Sequence, residues 1–518
     1  MASIFPLDIV APGAWGLNLE SANTLLSPQW ATIALNCVVN RSGRIAARSG
    51  WASQTTTPIV AGDSICTMHE FLEEDGSSTI ISAAGNKIYK NISDFTDAAN
   101  DITSTTAPTA DHWKFINFNG KVLGFQRGHT PIERSSGDFT DASYTGTGPD
   151  GNTAVSAFGR VWAADADLQT IRYSTLLDDT DYSTSGGTID MSSVWTNGMD
   201  EIVGLAVIGS NLVCFGKNHI VMWADGSGSE IGLDPTAIEV VDTIEGTGCI
   251  ARDSIANTGE GDLIFLSRHG IQSLGRVIEN KSNPLVVLSK KIRADLQQAI
   301  VTSRAADAQL DRVRAVFSPE DGFYVINFPT MGKQYVIDTN HAFRDDEGDS
   351  LFPITNWSLG GDIAGMVVST TGNFYLGSAG LVGKYGGTSD NNAAYDFQWE
   401  SGWLDFGDPQ INHRLKILKE ILASVVIGDG SIAWTWEFDF NGTTLSRTAT
   451  YTGGTSSEFN VAEFNLGEFS GGTTIQRKNL PAHGEGQFLK IGATASVDGF
   501  DVVLQHISVS PKLGRMVT

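Results

Sequence analysis

The chain has 518 residues, 41% of them hydrophobic and 18% charged, with a formal net charge of −25 at pH 7. That length allows two or three domains with a sizeable core, and 57 glycines against 15 prolines favour many short strands joined by tight turns over long helices. A net charge of this sign disfavours a sequence-independent grip on nucleic acid through a basic face, because the same field repels a polyanion.

Four cysteines, Cys37, Cys66, Cys214 and Cys249, lie far apart with no CxxC or Cys/His spacing, which excludes a disulfide framework and a structural zinc site and predicts reduced, partly buried thiols. The opening MASIFPLDIVAPG has no basic start and no apolar run, so it does not read as a secretory signal. No segment reaches the roughly 18 uninterrupted apolar residues of a membrane-spanning helix.

Residues 1–60 read as an N-terminal assembly segment. Gly16-Leu17-Asn18 comes first, then Ser27-Pro28 opens a turn or short helix carrying Trp30 and Ala31, and Asn36–Asn40 forms an apolar strand. Arg41-Ser42-Gly43 turns the chain into Arg44–Arg48. The segment either closes a ring or packs on a neighbour.

Residues 61–392 repeat one layout of strand, glycine turn, apolar strand and second turn. Its clearest copy is Ile202–Ala224, with turns at Gly209-Ser210-Asn211 and Gly216-Lys217-Asn218, where positive φ is expected. The second strands begin near Ile80, Val122, Val161, Leu212, Leu263, Phe323 and Phe374, each after a glycine: Gly76, Gly120, Gly159, Gly209, Gly261, Gly322 and Gly372. Successive starts differ by 42, 39, 51, 51, 60 and 51 residues. Periods of about 40 to 50 residues with about four strands each are those of propeller blades, so the spacing predicts a β-propeller of six to seven blade-like repeats. One helix interrupts them. Ser289 can cap it, and Ile292, Leu296, Ala299 and Ile300 share a face, while Lys290, Lys291 and Arg293 crowd a first turn whose dipole disfavours positive charge and so invite an acidic partner.

Residues 393–518 read as a C-terminal antiparallel β-sandwich. Ile432, Trp434, Trp436, Phe438 and Phe440 alternate with smaller or polar residues, as a strand with one buried and one wet face does. Further strands are predicted at Thr443–Tyr451, Gln487–Ala495 and Phe500–Val509.

The order Gly16-Leu17-Asn18, then Ser27-Pro28 with Ala31, then the strand, turn and basic strand of residues 35–51 (LNCVVNRSGRIAARSGW) resembles the opening of the tail nozzle proteins of short-tailed bacteriophages, also called tail tubular protein B or packaged-DNA stabilisation protein. The ending ISVSPKLGRMV is similar to the close of the same family. The resemblance implies a propeller-bearing structural subunit of the virion tail without enzymatic activity or cofactor. It would form a homo-oligomeric hexamer below the portal and adaptor ring, support spikes or fibres, and surround double-stranded DNA that passes without sequence-specific binding. Six copies would carry six times −25, a formal charge of −150, and acidic loops lining the bore would let DNA slide. Contacts between copies are expected on the N-terminal segment and the sandwich, with Trp30, Arg44, Arg48, Arg414 and Lys416, together with Lys290, Lys291 and Arg293, as candidate interface residues. The channel-lining residues stay unassigned. The alternative is a monomeric glycan-binding propeller that recognises a cell-surface polymer.

Catalytic motifs find no context. Gly146-Thr147-Gly148-Pro149-Asp150-Gly151 is a literal GxGxxG, but a proline interrupts it and a strand, not a helix, is expected to follow. The acidic clusters Glu73-Glu74-Asp75, Asp178-Asp179-Asp181 and Asp345-Asp346-Glu347-Asp349 lack the spacing of a calcium loop, and no metal ligand set is nominated. His219 and His269 fall in equivalent blade turns, where a hydrogen-bonded turn residue is expected.

Overall fold

The computed structural model describes residues 7–516 apart from 74, 93–94, 104–111, 184, 197, 226–233, 260, 280–286, 346–347, 349, 360–362, 406–413 and 453–473. Among the described residues, six separate antiparallel sheets of three or four strands, together with the first four strands of an eleven-stranded sheet, stand as the blades of a β-propeller. The inner strands are Thr67–Leu72, Lys114–Phe118, Ala154–Ala157, Ile202–Ile208, Ala256–Asn257, Arg314–Ser318 and Ile363–Val368. Each inner strand, or the short helical turn leading into it, touches the next, and the last returns to the first, which closes the ring.

The glycine that marks each repeat sits between the first and second strands of its blade. All seven, from Gly76 to Gly372, have φ between 58° and 84°, a region where an L side chain is strained. The second turn of the fourth blade differs from expectation, since Gly216 does not take positive φ. It is glycine because a Cβ there would lie 2.6 Å from Oδ2 of Asp200, whose carboxylate accepts from Asn218 N at 2.7 Å and lies 2.9 Å from His219 Nδ1.

The N-terminal segment is not a separate unit. Trp51–Ser53 supplies the outer strand of the seventh blade by pairing with Leu381–Tyr385, so the ring is latched by joining distant parts of the chain. Leu7–Val10, Cys37–Val39 and Ile45–Ala47 instead join one sheet of the sandwich, alongside Arg414–Ile427 and Val502–Met516. Ile33–Leu35 bridges the domains, meeting Ile354–Trp357 of the sixth blade on one side and Tyr395–Glu400 of the sandwich on the other.

The sandwich core lies between two facing sheets. Gly430–Phe438 buries Ile432, Trp434, Trp436 and Phe438 as its alternation predicts, and Ile421, Val425, Leu504 and Ile507 meet them from the opposite sheet. Phe440 falls outside the strand. At φ 57° it makes the turn, and its ring lies 4.3 Å from that of Trp403.

The helix between the fifth and sixth blades, α1 (Arg293–Ala306), buries Leu296, Ala299 and Ile300 as expected. Ser289 does not cap it, because its Oγ is taken by the Ile271 N–H at 3.0 Å. The cap comes from Glu20, whose Oε1 accepts from Ala294 N at 2.6 Å, so a carboxylate from the N-terminal segment sits at the positive end of the dipole.

His69 links the first two blades. Its Nε2 lies 2.9 Å from Asn117 Oδ1, while Asn117 Nδ2 donates to the Glu70 carbonyl at 2.8 Å. Burial pushes the imidazole pKa down to about 4 against the bond to Asn117, so the folded chain holds it neutral. A depressed histidine stabilises above its unfolded value of about 6.5 and loses that contribution as pH falls toward the folded value. Urea midpoints of the wild type are therefore expected to fall more between pH 7 and pH 4.5 than those of His69→Gln; equal falls would refute a neutral, buried imidazole.

Candidate functional site

Two places concentrate buried charge: the seam between the domains and the axis of the propeller. At the seam, Asn36 takes φ 54° and lets the chain pass from one sheet of the sandwich to the other between Ile33–Leu35 and Cys37–Val39. Its amide serves three elements, donating to Asp396 O at 2.7 Å and accepting from Ser358 N at 2.8 Å and Arg48 Nε at 3.0 Å. Arg48, 2% exposed, forks onto Asp390 at 2.8 and 2.6 Å, donates to the Ser49 and Ser358 carbonyls, and lies 4.2 Å above the Tyr395 ring. A guanidinium with every edge engaged inside the chain has none left for a second copy, which corrects its assignment to an intermolecular contact.

Trp30 is corrected for the same reason. It is buried, edge-on to Trp15 at 5.5 Å and to Phe343 at 5.4 Å, with Lys291 Nζ 5.6 Å above its ring. Lys291 has the acidic partner its position called for, but within the chain: Asp345, at 2.9 Å. Lys290 and Arg293 are exposed, and Arg44 is half-buried with Nε 3.4 Å from Gln505 Oε1. Arg414 and Lys416 start a long strand of the sandwich, and their side chains lie outside the described residues.

Sequence reasoning missed the second place. Asp253 is buried on the ring axis, where Arg252 Nη2 meets it at 2.6 Å, Arg314 Nη1 at 3.3 Å and Lys114 Nζ at 3.4 Å. Arg252 also donates to the Asn152 and His112 carbonyls, and Arg314 to Thr67 Oγ1 at 2.8 Å. These groups stand at or just before the inner strands of five blades, and cations from three of them, the second, fifth and sixth, converge on one carboxylate at the centre. Burial would raise the Asp253 pKa, but Arg252, Arg314 and Lys114 outweigh it and hold the carboxyl far below the usual range. The available signal was a charged residue at or just before three of the inner strands, Lys114, Arg252 with Asp253, and Arg314, hidden because these strands are distant in sequence.

Against this cluster lies a pocket of about 250 Å³ at the end of the ring where second-to-third strand turns and blade-to-blade connections emerge. Arg127, Lys217 and Arg268 come from such turns, Asn152, Glu201 and Arg252 from such connections, and Arg304 and Asp311 from the end of α1 and the chain after it.

Elsewhere the polar clusters are internally satisfied. Asp178 accepts from Thr180 N at 2.9 Å, Asp181 from Ser183 N at 2.8 Å, and Asp179 pairs with Lys121 at 3.1 Å. Asp75 accepts from Ser77 N at 2.8 Å; Glu74, Asp346, Glu347 and Asp349 lie outside the described residues. His219 is fixed by Asp200, and His269 is held through its backbone N–H on Ser267 Oγ at 3.1 Å. The four cysteines are free and buried, and burial pushes the Cys249 thiol up to about 11, away from the thiolate a nucleophile needs.

No family model matches the chain. A dihydrofolate reductase of Staphylococcus haemolyticus is 29% identical over 104 residues, which are 20% of this chain and 61% of that protein, so membership of that family is not established. Among solved structures, a streptogramin B lyase is similar with a TM-score of 0.38 and 12% identity, covering 65% of this chain and 97% of that one. The WD40 β-propeller domain of Doa1 is similar with a TM-score of 0.38 and 11% identity over the same shares. The propeller assignment rests on the strand pairing itself. Among the described residues, no helix is long and apolar enough to cross a membrane.

Proposed function

We propose that the chain is a structural subunit of a short bacteriophage tail, the nozzle, which assembles into a ring around the path of double-stranded DNA and docks below a portal or adaptor. The observation that carries this reading is where the resembling segments lie. Gly16–Trp51 holds the domain-crossing strand, the Asn36 crossover, the Arg48 clamp and the start of the latch that closes the ring. Ile507–Met516 lies in the sandwich strand that accepts Leu7–Val10. Those residues define how a propeller is welded to a sandwich, so a shared motif there supports a shared two-domain subunit. A rigid subunit is what a closed ring needs, because one heterologous contact must repeat without accumulating error. The exposed Lys290 and Arg293 are the remaining described candidates for a basic contact on a neighbour's acidic surface.

Light scattering and negative-stain microscopy of the full chain test this reading. The expected species is a ring with about six times the 55.3 kDa mass of one chain, formed alone or on a purified adaptor ring. A 55.3 kDa monomer under both conditions that is retained on immobilised bacterial polysaccharide would overturn it in favour of the glycan-binding alternative.

A further inference from the structure

We propose that the pocket at the mouth of the propeller is a binding site for a phosphate-type oxyanion. Five cationic side chains line it, Arg127, Lys217, Arg252, Arg268 and Arg304, against two carboxylates, Glu201 and Asp311, in a chain whose net charge is −25. Glu201 is committed to Lys217 at 2.5 Å, and Arg252 is committed to Asp253. Arg127 has no hydrogen-bond partner for its buried Nε. Arg268 and Arg304 enter no ion pair among the described residues and extend from exposed positions to the rim. Three guanidinium groups, Arg127, Arg268 and Arg304, thus share one hollow with a single uncommitted carboxylate, Asp311, an excess of positive charge that an anion would relieve.

A second observation is independent of charge. Asn152 lines the floor of the pocket, is 2% exposed, and its side-chain oxygen position has no hydrogen-bond partner. A buried amide left unsatisfied is unfavourable, and its orientation can present N–H to a ligand oxygen. Guanidinium forks from two turns and a helix end, together with an amide, match an acceptor that offers oxygens in several directions. A tetrahedral oxyanion does so, whereas a carboxylate offers one edge. The phosphate could be a free ion or part of a nucleic-acid backbone, and the site does not depend on the nozzle reading.

Isothermal titration of the full chain at constant ionic strength tests the site with inorganic phosphate, with acetate and with a short DNA duplex. Phosphate is expected to bind and acetate not to, with affinity falling about tenfold for each of Arg127→Gln, Arg268→Gln and Arg304→Gln. Asn152→Asp, which adds a negative charge to the floor, should abolish binding, and circular dichroism of each variant separates loss of the site from loss of the fold. Duplex binding with the same arginine dependence and competition by phosphate would identify a backbone phosphate as the source; phosphate binding alone would identify the free ion. Acetate binding as tightly as phosphate, no binding of phosphate or duplex, or binding unchanged when Arg127, Arg268 and Arg304 are all replaced by glutamine would each overturn the proposal.

Discussion

Arg48→Ala is expected to destabilise the chain by about 3–5 kcal/mol, because it strips the partner from a buried carboxylate and frees acceptors on both sides of the domain seam. Arg48 holds Asp390, which is 12% exposed in its side chain, and two backbone carbonyls, and it stacks on Tyr395, whose hydroxyl donates to the Arg48 carbonyl. Lysine keeps the charge but cannot fork or stack flat, so Arg48→Lys should recover only part of the loss. Urea denaturation followed by tryptophan fluorescence checks both variants. Trp51 and Trp399 stand on the propeller and sandwich sides of the seam, so their signals should shift together if the two domains unfold as one unit. A change under 1 kcal/mol for alanine would mean that water replaces the clamp.

Asp253→Asn should cost a similar amount, about 3–5 kcal/mol at pH 7, since it leaves the buried Arg252 and Arg314 and the half-buried Lys114 on the ring axis without that carboxylate. The same carboxylate gives a pH signature. Its folded pKa is depressed, so its contribution is present above the unfolded value of about 3.9 and is lost as pH falls through that value toward the folded one. Wild-type stability should therefore drop steeply below pH 4, and the asparagine variant, already lacking the carboxylate, should fall less over that window. Parallel acid limbs for the two proteins would refute a central role for the carboxylate.

Much of the architecture was legible in local chemistry. The seven glycines reported their blades because a turn between the first two strands needs φ near +70°, a constraint that acts within a few residues. The alternation from Ile432 to Phe438 reported a sandwich strand because side chains on a pleat change face at every step. The helix after Ser289 was visible by its apolar face, but its cap was not, since Glu20 reaches it from the far end of the chain.

Local patterning along the chain was enough to list its parts: short glycine-punctuated strands in a propeller ring, a second β domain after it, and a strongly acidic composition. Long-range folding alone divides residues 7–53 between sandwich and propeller, consumes Trp30 and Arg48 inside the chain, and gathers Lys114, Arg252 and Arg314 around Asp253. The difference is one of range. Turn geometry and pleat periodicity act between neighbours, whereas the pairing of a buried charge depends on which distant strands the closed ring brings to its axis.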